Sequence, residues 1–257
     1  MPDAPELASY LDDLLSASGF PDYPGALNGL QLTNSTTVRR IAAAVDFSRR
    51  TVDAAIAADA NFLIVHHGMF WGGAQRLTGS LYERLRLLLR HDVAVYSSHL
   101  PLDAHATFGN NALLARALEL EPTERFGSYE GTSIGVAGEC DIATATLLSR
   151  ADLFARPLGG GARATLHDEG RRTRRWAIVT GAGAGTREIR EAHTRAIDTL
   201  IVGEGPHHTT VEAPEAGVVI IYAGHYATET LGVRAIARNA GERYDLPHDF
   251  LLLPTGS

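Results

Sequence analysis

Three short apolar runs, each ending in residue types that bind metals, constrain this chain more than any other feature. NFLIV (61–65) leads into His66-His67, and DVAVYSS (92–98) leads into His99-Leu100-Pro101-Leu102-Asp103-Ala104-His105. GVVIIYA (217–223) leads into Gly224-His225-Tyr226-Ala227-Thr228-Glu229. Runs this short, separated by helix-patterned segments, predict buried strands of an α/β sheet. The carboxyl ends of such strands face the crevice in which ligands bind.

The intervening segments fit that architecture. A first helix is predicted over 5–17, with Leu7, Leu11, Leu14 and Leu15 as its apolar stripe and Gly19 ending it. The turn-rich FPDYPGALNGLQL (20–32) reads as a loop. A strand is expected over 41–46 and a helix over 49–58, with Ser48 as its cap. Ser80 and Glu83 form a capping box for a helix ending near His91, and another helix is predicted over 110–118. Beyond Glu121-Pro122, strands are expected near 132–137, 176–180, 199–203 and 217–222, with helices near 141–152, 186–197 and 226–240. HDFLLLP (248–254) closes the chain as a strand. The fold class predicted is α/β, as two α/β lobes with mainly parallel sheets. Residues 1–124 form the first, carrying His66, His67 and Asp103; residues 125–257 form the second, carrying His225 and Glu229.

Composition removes several functional classes. All 23 basic residues are arginine, so Schiff-base chemistry, pyridoxal phosphate anchoring and the phosphate-loop lysine are unavailable. A net charge of -7 argues against a nucleic-acid partner, because such surfaces need a broad basic face. The single cysteine, Cys140, excludes an intrachain disulfide and a thiolate-built zinc site, and it fits a reducing cytoplasm. The N-terminus lacks the layout of a signal peptide, and no apolar run approaches the roughly 20 residues that span a bilayer. A cytoplasmic protein with no membrane partner is expected.

Histidine and carboxylate residues at three strand ends are costly to bury together unless a cation neutralises and orients them. Adjacent histidines leaving a strand diverge, so each can serve a different ion. His225 and Glu229, four apart, share a face if a helix starts at His225. Nitrogen and oxygen donors without thiolate suit zinc, iron, manganese or nickel. Five donors with a bridging carboxylate fit two divalent metal ions, and Glu229 has the longer arm for bridging. His105 reads as a loop residue or an outer partner of the site. His91, His167, His193 and His248 read as surface or helix-end residues.

V-H-H-G-M-F-W-G-G (65–73), S-H-L-P-L-D-A-H (98–105), G-N-N-A (109–112) and G-H-Y-A-T-E (224–229) together resemble the GTP cyclohydrolase 1 type 2 homologue family, also described as dinuclear-metal-centre hexameric proteins. N-G-L-Q (28–31) and G-E-G-P-H-H (203–208) extend the resemblance nearly end to end. It implies a toroidal homohexamer of two-lobed subunits, with the metal site in the cleft between the lobes. It places the metal ligands at His66, His67, Asp103, His225 and Glu229. His99 takes the position of a possible additional ligand or substrate-side residue, Glu204 that of the family's acid, and His207-His208 that of its paired histidines. Gly205-Pro206 and Gly25-Ala26-Leu27 depart from the commoner loop residues.

Two motifs are set aside. Gly131-Thr132-Ser133-Ile134-Gly135 matches a nucleophile elbow, but Ser133 onward reads as the strand itself rather than a strand-to-helix turn. Gly181-Ala182-Gly183-Ala184-Gly185 mimics a dinucleotide fingerprint, yet Thr186 stands where its third glycine belongs, and a tight βα turn is the better reading. RRTRR (171–175) reads as a solvated hairpin or loop.

The expected function is metal-dependent hydrolysis of a nucleotide or purine-like small molecule, the substrate class following from the resemblance. Glu204 and His99 are the candidate proton shuttles, with His207 or His208 as further candidates. The competing class is a non-catalytic metal-binding homo-oligomer, acting as a metal chaperone or regulatory protein. An enzyme keeps an open coordination position beside a pocket, whereas a storage site can be closed.

Overall fold

Capping chemistry sets the first two helices where the sequence puts them. In the computed structural model, which describes residues 1–256, Asp3 accepts from the Glu6 amide at 2.8 Å and Ser48 from the Thr51 amide at 3.2 Å. The elements run α1 (Ala4–Leu15), β1 (Gly29–Leu32), β2 (Ile41–Asp46), α2 (Arg49–Ala57), β3 (Phe62–His67), α3 (Gly79–Arg90), β4 (Ala94–Ser97) and α4 (Leu100–Ala104). They continue as α5 (Asn110–Ala117), β5 (Glu124–Tyr129), β6 (Thr132–Ala143), α6 (Thr144–Ala155), β7 (Arg163–Ala164), β8 (Arg172–Val179) and α7 (Thr186–Thr194). Last come β9 (Thr199–Val202), α8 (Thr209–Glu215), β10 (Val219–Tyr222), α9 (His225–Thr228), α10 (Thr230–Tyr244) and β11 (His248–Phe250).

The chain forms two units: Met1–Leu102 with Gly232–Leu253, and Asp103–Leu231 with the residues from Pro254 on. A single cut near residue 125 does not describe this division. The chain leaves the first unit within α4 and returns to it within α10, because β11 pairs in parallel with β2. Asp103 therefore belongs to the second unit.

The first unit carries a five-stranded sheet in the order β1-β4-β3-β2-β11. Three of its four pairings are parallel, and the fourth, β1 on β4, is antiparallel. Gly29–Leu32 is thus an edge strand where turn-rich composition predicts loop, since pairing with β4 overrides local propensity. Val52, Ala55, Leu63, Val65, Leu88 and Val95 pack one core with little or no exposure. Helix α1 ends at Ser16, in the left-handed region at φ 50°, before Gly19 is reached. Ser80 and Glu83 make no capping box: α3 starts at Gly79 after Thr78, and Glu83 instead pairs with Arg86 at 2.8 Å.

The second unit carries a six-stranded sheet in the order β5-β6-β8-β9-β10-β7. Only two of its five pairings, β8 on β9 and β9 on β10, are parallel, so the parallel expectation holds for the first sheet and gives way to a mixed one here. The antiparallel pairings are β5 on β6, β6 on β8 and β10 on β7, and the first is a hairpin whose two turn residues, Glu130 and Gly131, both have positive φ, as a tight hairpin requires. Ser133 sits within β6, as its apolar neighbours predict. Arg172–Arg175 are strand rather than loop, because acids on neighbouring strands neutralise them: Arg172 pairs with Asp141, and Arg175 with Glu139 and Glu124. Leu114, Trp176, Ile178, Ile201 and Ile221 are fully buried together in this unit's core. Among the described residues, no helix is long and apolar enough to cross a membrane.

Candidate metal centre

In the first unit the histidine sites sit where parallel strands end. His66 and His67 are the last residues of β3, and the β2–β3 register sets Asp46 opposite His67. His67 Nδ1 lies 2.8 Å from Asp46 Oδ1. His66, fully buried, donates from Nδ1 to the Ser98 carbonyl at 2.9 Å. His99, just past β4, holds Asp22 Oδ1 at 2.8 Å through its own Nδ1. Asp22 Oδ2 in turn accepts from the Leu100 amide at 2.9 Å and from Asn28 Nδ2 at 2.8 Å, while Asn28 Oδ1 accepts from the His99 amide.

The three rings converge rather than diverge. Ring centroids of His66 stand 4.8 Å from His67 and 4.9 Å from His99, and one ligand nitrogen from each lies within 4.8 Å of the others. Trp71 meets His99 edge-on at 4.8 Å. Gln31 accepts from the Met69 amide at 2.7 Å and donates to the carbonyls of Ala26 and Leu27, so N-G-L-Q braces the loop after His67.

In the second unit, Gly224 turns the chain after β10 with φ 89°, and α9 begins at His225. His225 Nδ1 lies 2.8 Å from Glu204 Oε1, and its Nε2 lies 3.0 Å from Glu229 Oε2. The four-residue spacing therefore places His225 and Glu229 together. Burial pushes the His225 pKa down, but Glu229 and Glu204 outweigh it and raise it to about 9. The bare imidazole is held as a cation between two carboxylates at neutral pH.

Asp103, buried, accepts from Asn110 Nδ2 at 2.8 Å, and the Thr180 hydroxyl lies 3.4 Å from the same oxygen. Asn111 donates to the Asp103 carbonyl at 3.1 Å and accepts from the Thr180 amide at 2.8 Å, so both asparagines of G-N-N-A serve Asp103. Gly181, following β8, has φ 62°, and a Cβ there would land on the Glu229 carboxylate. The glycine run 181–185 is thus a tight turn whose first residue makes room for Glu229.

Other candidates fall outside these groups. His105 Nδ1 accepts from the amides of Thr107 and Phe108, a turn-stabilising role. His207 and His208 are exposed before α8. Sequence reasoning did not single out Asp22 or Asp46. Asp46 carried a usable signal, being an acid at the carboxyl end of a predicted strand; Asp22, 77 residues from His99 in a turn-rich segment, carried none.

The donor chemistry fits a metal. His66, His67, His99 and His225 each have Nδ1 engaged by a carboxylate or carbonyl, the outer-sphere arrangement that fixes Nε2 as the ligating nitrogen and raises its basicity. In the second unit, Asp103 and Glu229 add buried carboxylates. Such nitrogen and oxygen donors accept zinc, iron, manganese or nickel without selecting among them.

The family model for Duf34/NIF3 (NGG1p interacting factor 3) matches residues 3–252. A Deinococcus radiodurans protein named GTP cyclohydrolase 1 type 2 homolog is 40% identical, the match covering 98% of this chain and 93% of that one. A Pyrococcus abyssi protein of the same name is also 40% identical, with 98% of each chain covered. Among solved structures, the protein ybgI, described as of unknown function, superposes with a TM-score of 0.88 at 32% identity, covering 99% of this chain and 100% of its own.

Proposed function

The chain belongs to the Duf34/NIF3 family, and from that premise we propose that it is a metal-dependent hydrolase holding two divalent ions and acting on a nucleotide or purine-like substrate. The observation that carries the metal part is the set of three ligand histidines, His66, His67 and His225, pinned through Nδ1. His66, His67, Asp103, His225 and Glu229 serve as the ligands. The substrate class rests on the name shared by the curated relatives.

Bound divalent ions would supply Lewis acidity and bring the pKa of a water molecule toward neutrality. The chain's own residues supply orientation and proton handling. Asp46 and Ser98 hold the rings of His67 and His66 in place. Asp22 fixes the His99 ring, so a proton can be taken up or released at His99 Nε2 without the ring turning. Glu204 plays the same orienting part for His225, and its half-exposed carboxylate can pass a proton to solvent. Trp71 shields one side of His99 from water.

The proposal includes assembly as a toroidal homohexamer, which follows from the family resemblance, in the cytoplasm, which the single cysteine suits. A second reading, a non-catalytic metal-binding assembly, is favoured by the deep burial of His66, Asp103 and Glu229, as suits a closed site. Metal-replete protein assayed against nucleotides, phosphodiesters and cyclic amides separates the two. Turnover that is lost in Asp22→Ala supports the hydrolase. Absence of turnover on all three classes, with metal bound, favours the second reading.

A further inference from the structure

A pocket of about 460 Å³ opens in the second unit, with Arg163, Tyr222, Glu204, Gly160 and Gly161 among its walls. Arg163 faces Tyr222 across the β7–β10 ladder, and its guanidinium carbon sits 4.3 Å from the ring centroid. Tyr222 is buried and its hydroxyl is 2.7 Å from Thr209 Oγ1, so the platform under the guanidinium is fixed. Among the described residues Arg163 forms no ion pair, unlike Arg172, Arg175 and Arg195, each of which meets a carboxylate.

The glycines add a separate argument. Gly160 and Gly161 have ordinary φ values, and a Cβ on either would meet nothing closer than 3.4 Å. Neither packing nor backbone conformation demands glycine there, while bare backbone lets an anion approach closely. Glu204, whose Oε1 is engaged by His225, also lines the pocket.

We propose that this pocket takes the oxyanion of a small-molecule substrate, a phosphate or a carboxylate, on the Arg163 guanidinium, with the remainder of the molecule directed toward Glu204 and His225. The stacked, planar fork suits two-point binding of such a group. The assignment rests on the hydrolase reading and makes it more specific: the substrate is anionic at one end, with its reacting bond a pocket's length away.

Calorimetric titration of inorganic phosphate, and separately of acetate, into metal-replete wild-type, Arg163→Gln and Arg163→Lys proteins tests this, with metal content measured on each sample. Saturable binding of at least one anion is expected, weakened tenfold or more in Arg163→Gln and partly recovered in Arg163→Lys, at unchanged metal content. Binding of phosphate alone assigns a phosphoester, and of acetate alone a carboxylate. Equal binding by wild type and Arg163→Gln, as for an anion seated on the metals, overturns the proposal, and so does the absence of binding by wild type. If wild type holds no metal yet binds the anion through Arg163, the pocket stands and the hydrolase reading fails.

Discussion

Asp22 and His99, 77 residues apart in sequence, are joined by a 2.8 Å contact between Oδ1 and Nδ1, with both side chains almost wholly buried. Burial pushes the Asp22 pKa up, but the contact with His99 and the bonds from Asn28 and Leu100 outweigh it, and the carboxyl ends below its usual value. Both oxygens act as acceptors, toward a histidine on one side and toward an amide and a backbone N–H on the other. An asparagine can satisfy only one side, because its amide nitrogen must face a donor on the other. Asp22→Asn is therefore expected to lower turnover about 100-fold or more by freeing the His99 ring, while the fold and the metal content stay unchanged. Steady-state kinetics with elemental analysis of the same samples measures it; unchanged turnover would show that His99 does not handle the proton.

Metal binding should displace protons. His225 is raised to about 9 by Glu229 and Glu204 despite its burial, so below that pH the metal-free ring is protonated. The sign follows: the stabilisation from this ion-pair arrangement is fully present below the unfolded value near 6.5 and is lost as pH rises through about 9. Metal has to compete with that proton, so its affinity should rise between pH 7 and 9. Calorimetry of metal binding in buffers of different ionisation enthalpy should show proton release at pH 7. Binding enthalpy independent of the buffer would contradict it.

Gly181→Ala carries two penalties. The left-handed φ of 62° disfavours any side chain, and the new methyl would overlap the Glu229 carboxylate and approach His225. Overpacking of this kind costs about 1–3 kcal/mol. The variant should melt a few degrees below wild type and hold less metal, as read by calorimetry and elemental analysis. A fully loaded variant would mean that Glu229 is not a ligand.

Much of this was legible in the sequence because strand ends are local. The runs before His66, His99 and His225 are short and apolar, and the structure puts each histidine at or just past a strand's end. Ser48 and the first-helix stripe were likewise readable from neighbours in the chain. What escaped was non-local. The edge strand β1 exists because β4 offers it a partner, and Arg172–Arg175 are strand because Asp141, Glu139 and Glu124 lie across from them. Asp22 could be found only by folding the chain. The return of α10 and β11 to the first unit has the same origin, since the β2–β11 pairing links residues about two hundred positions apart.

Asp92 provides a test of fold stability remote from these histidines. Its carboxylate accepts from the Ser35 amide at 2.7 Å, the Ser35 hydroxyl at 2.9 Å and the Thr36 hydroxyl at 2.6 Å, tying the segment before β2 to the turn before β4. The Thr36 bond is the main cause holding its pKa below the usual value. With a depressed folded-state pKa, its contribution is present above the unfolded value of about 3.8 and is lost as pH falls through the folded one. Asp92→Ala should therefore be destabilised by about 1 kcal/mol or more at pH 7, and the gap to wild type should narrow in acid to the part set by the left-handed φ of 55°, which alanine tolerates less well than aspartate. Urea unfolding at a series of pH values measures it, and a gap that widens toward low pH would contradict the assignment.

The central claim is that His66, His67, Asp103, His225 and Glu229 hold two divalent ions. Elemental analysis of protein purified without chelator, with divalent metals in the growth medium, tests it most directly. About two ions per chain are expected in wild type, falling in His67→Ala and Glu229→Ala while both variants still melt cooperatively. A wild-type protein free of divalent metal, or variants that keep their full complement, would contradict it.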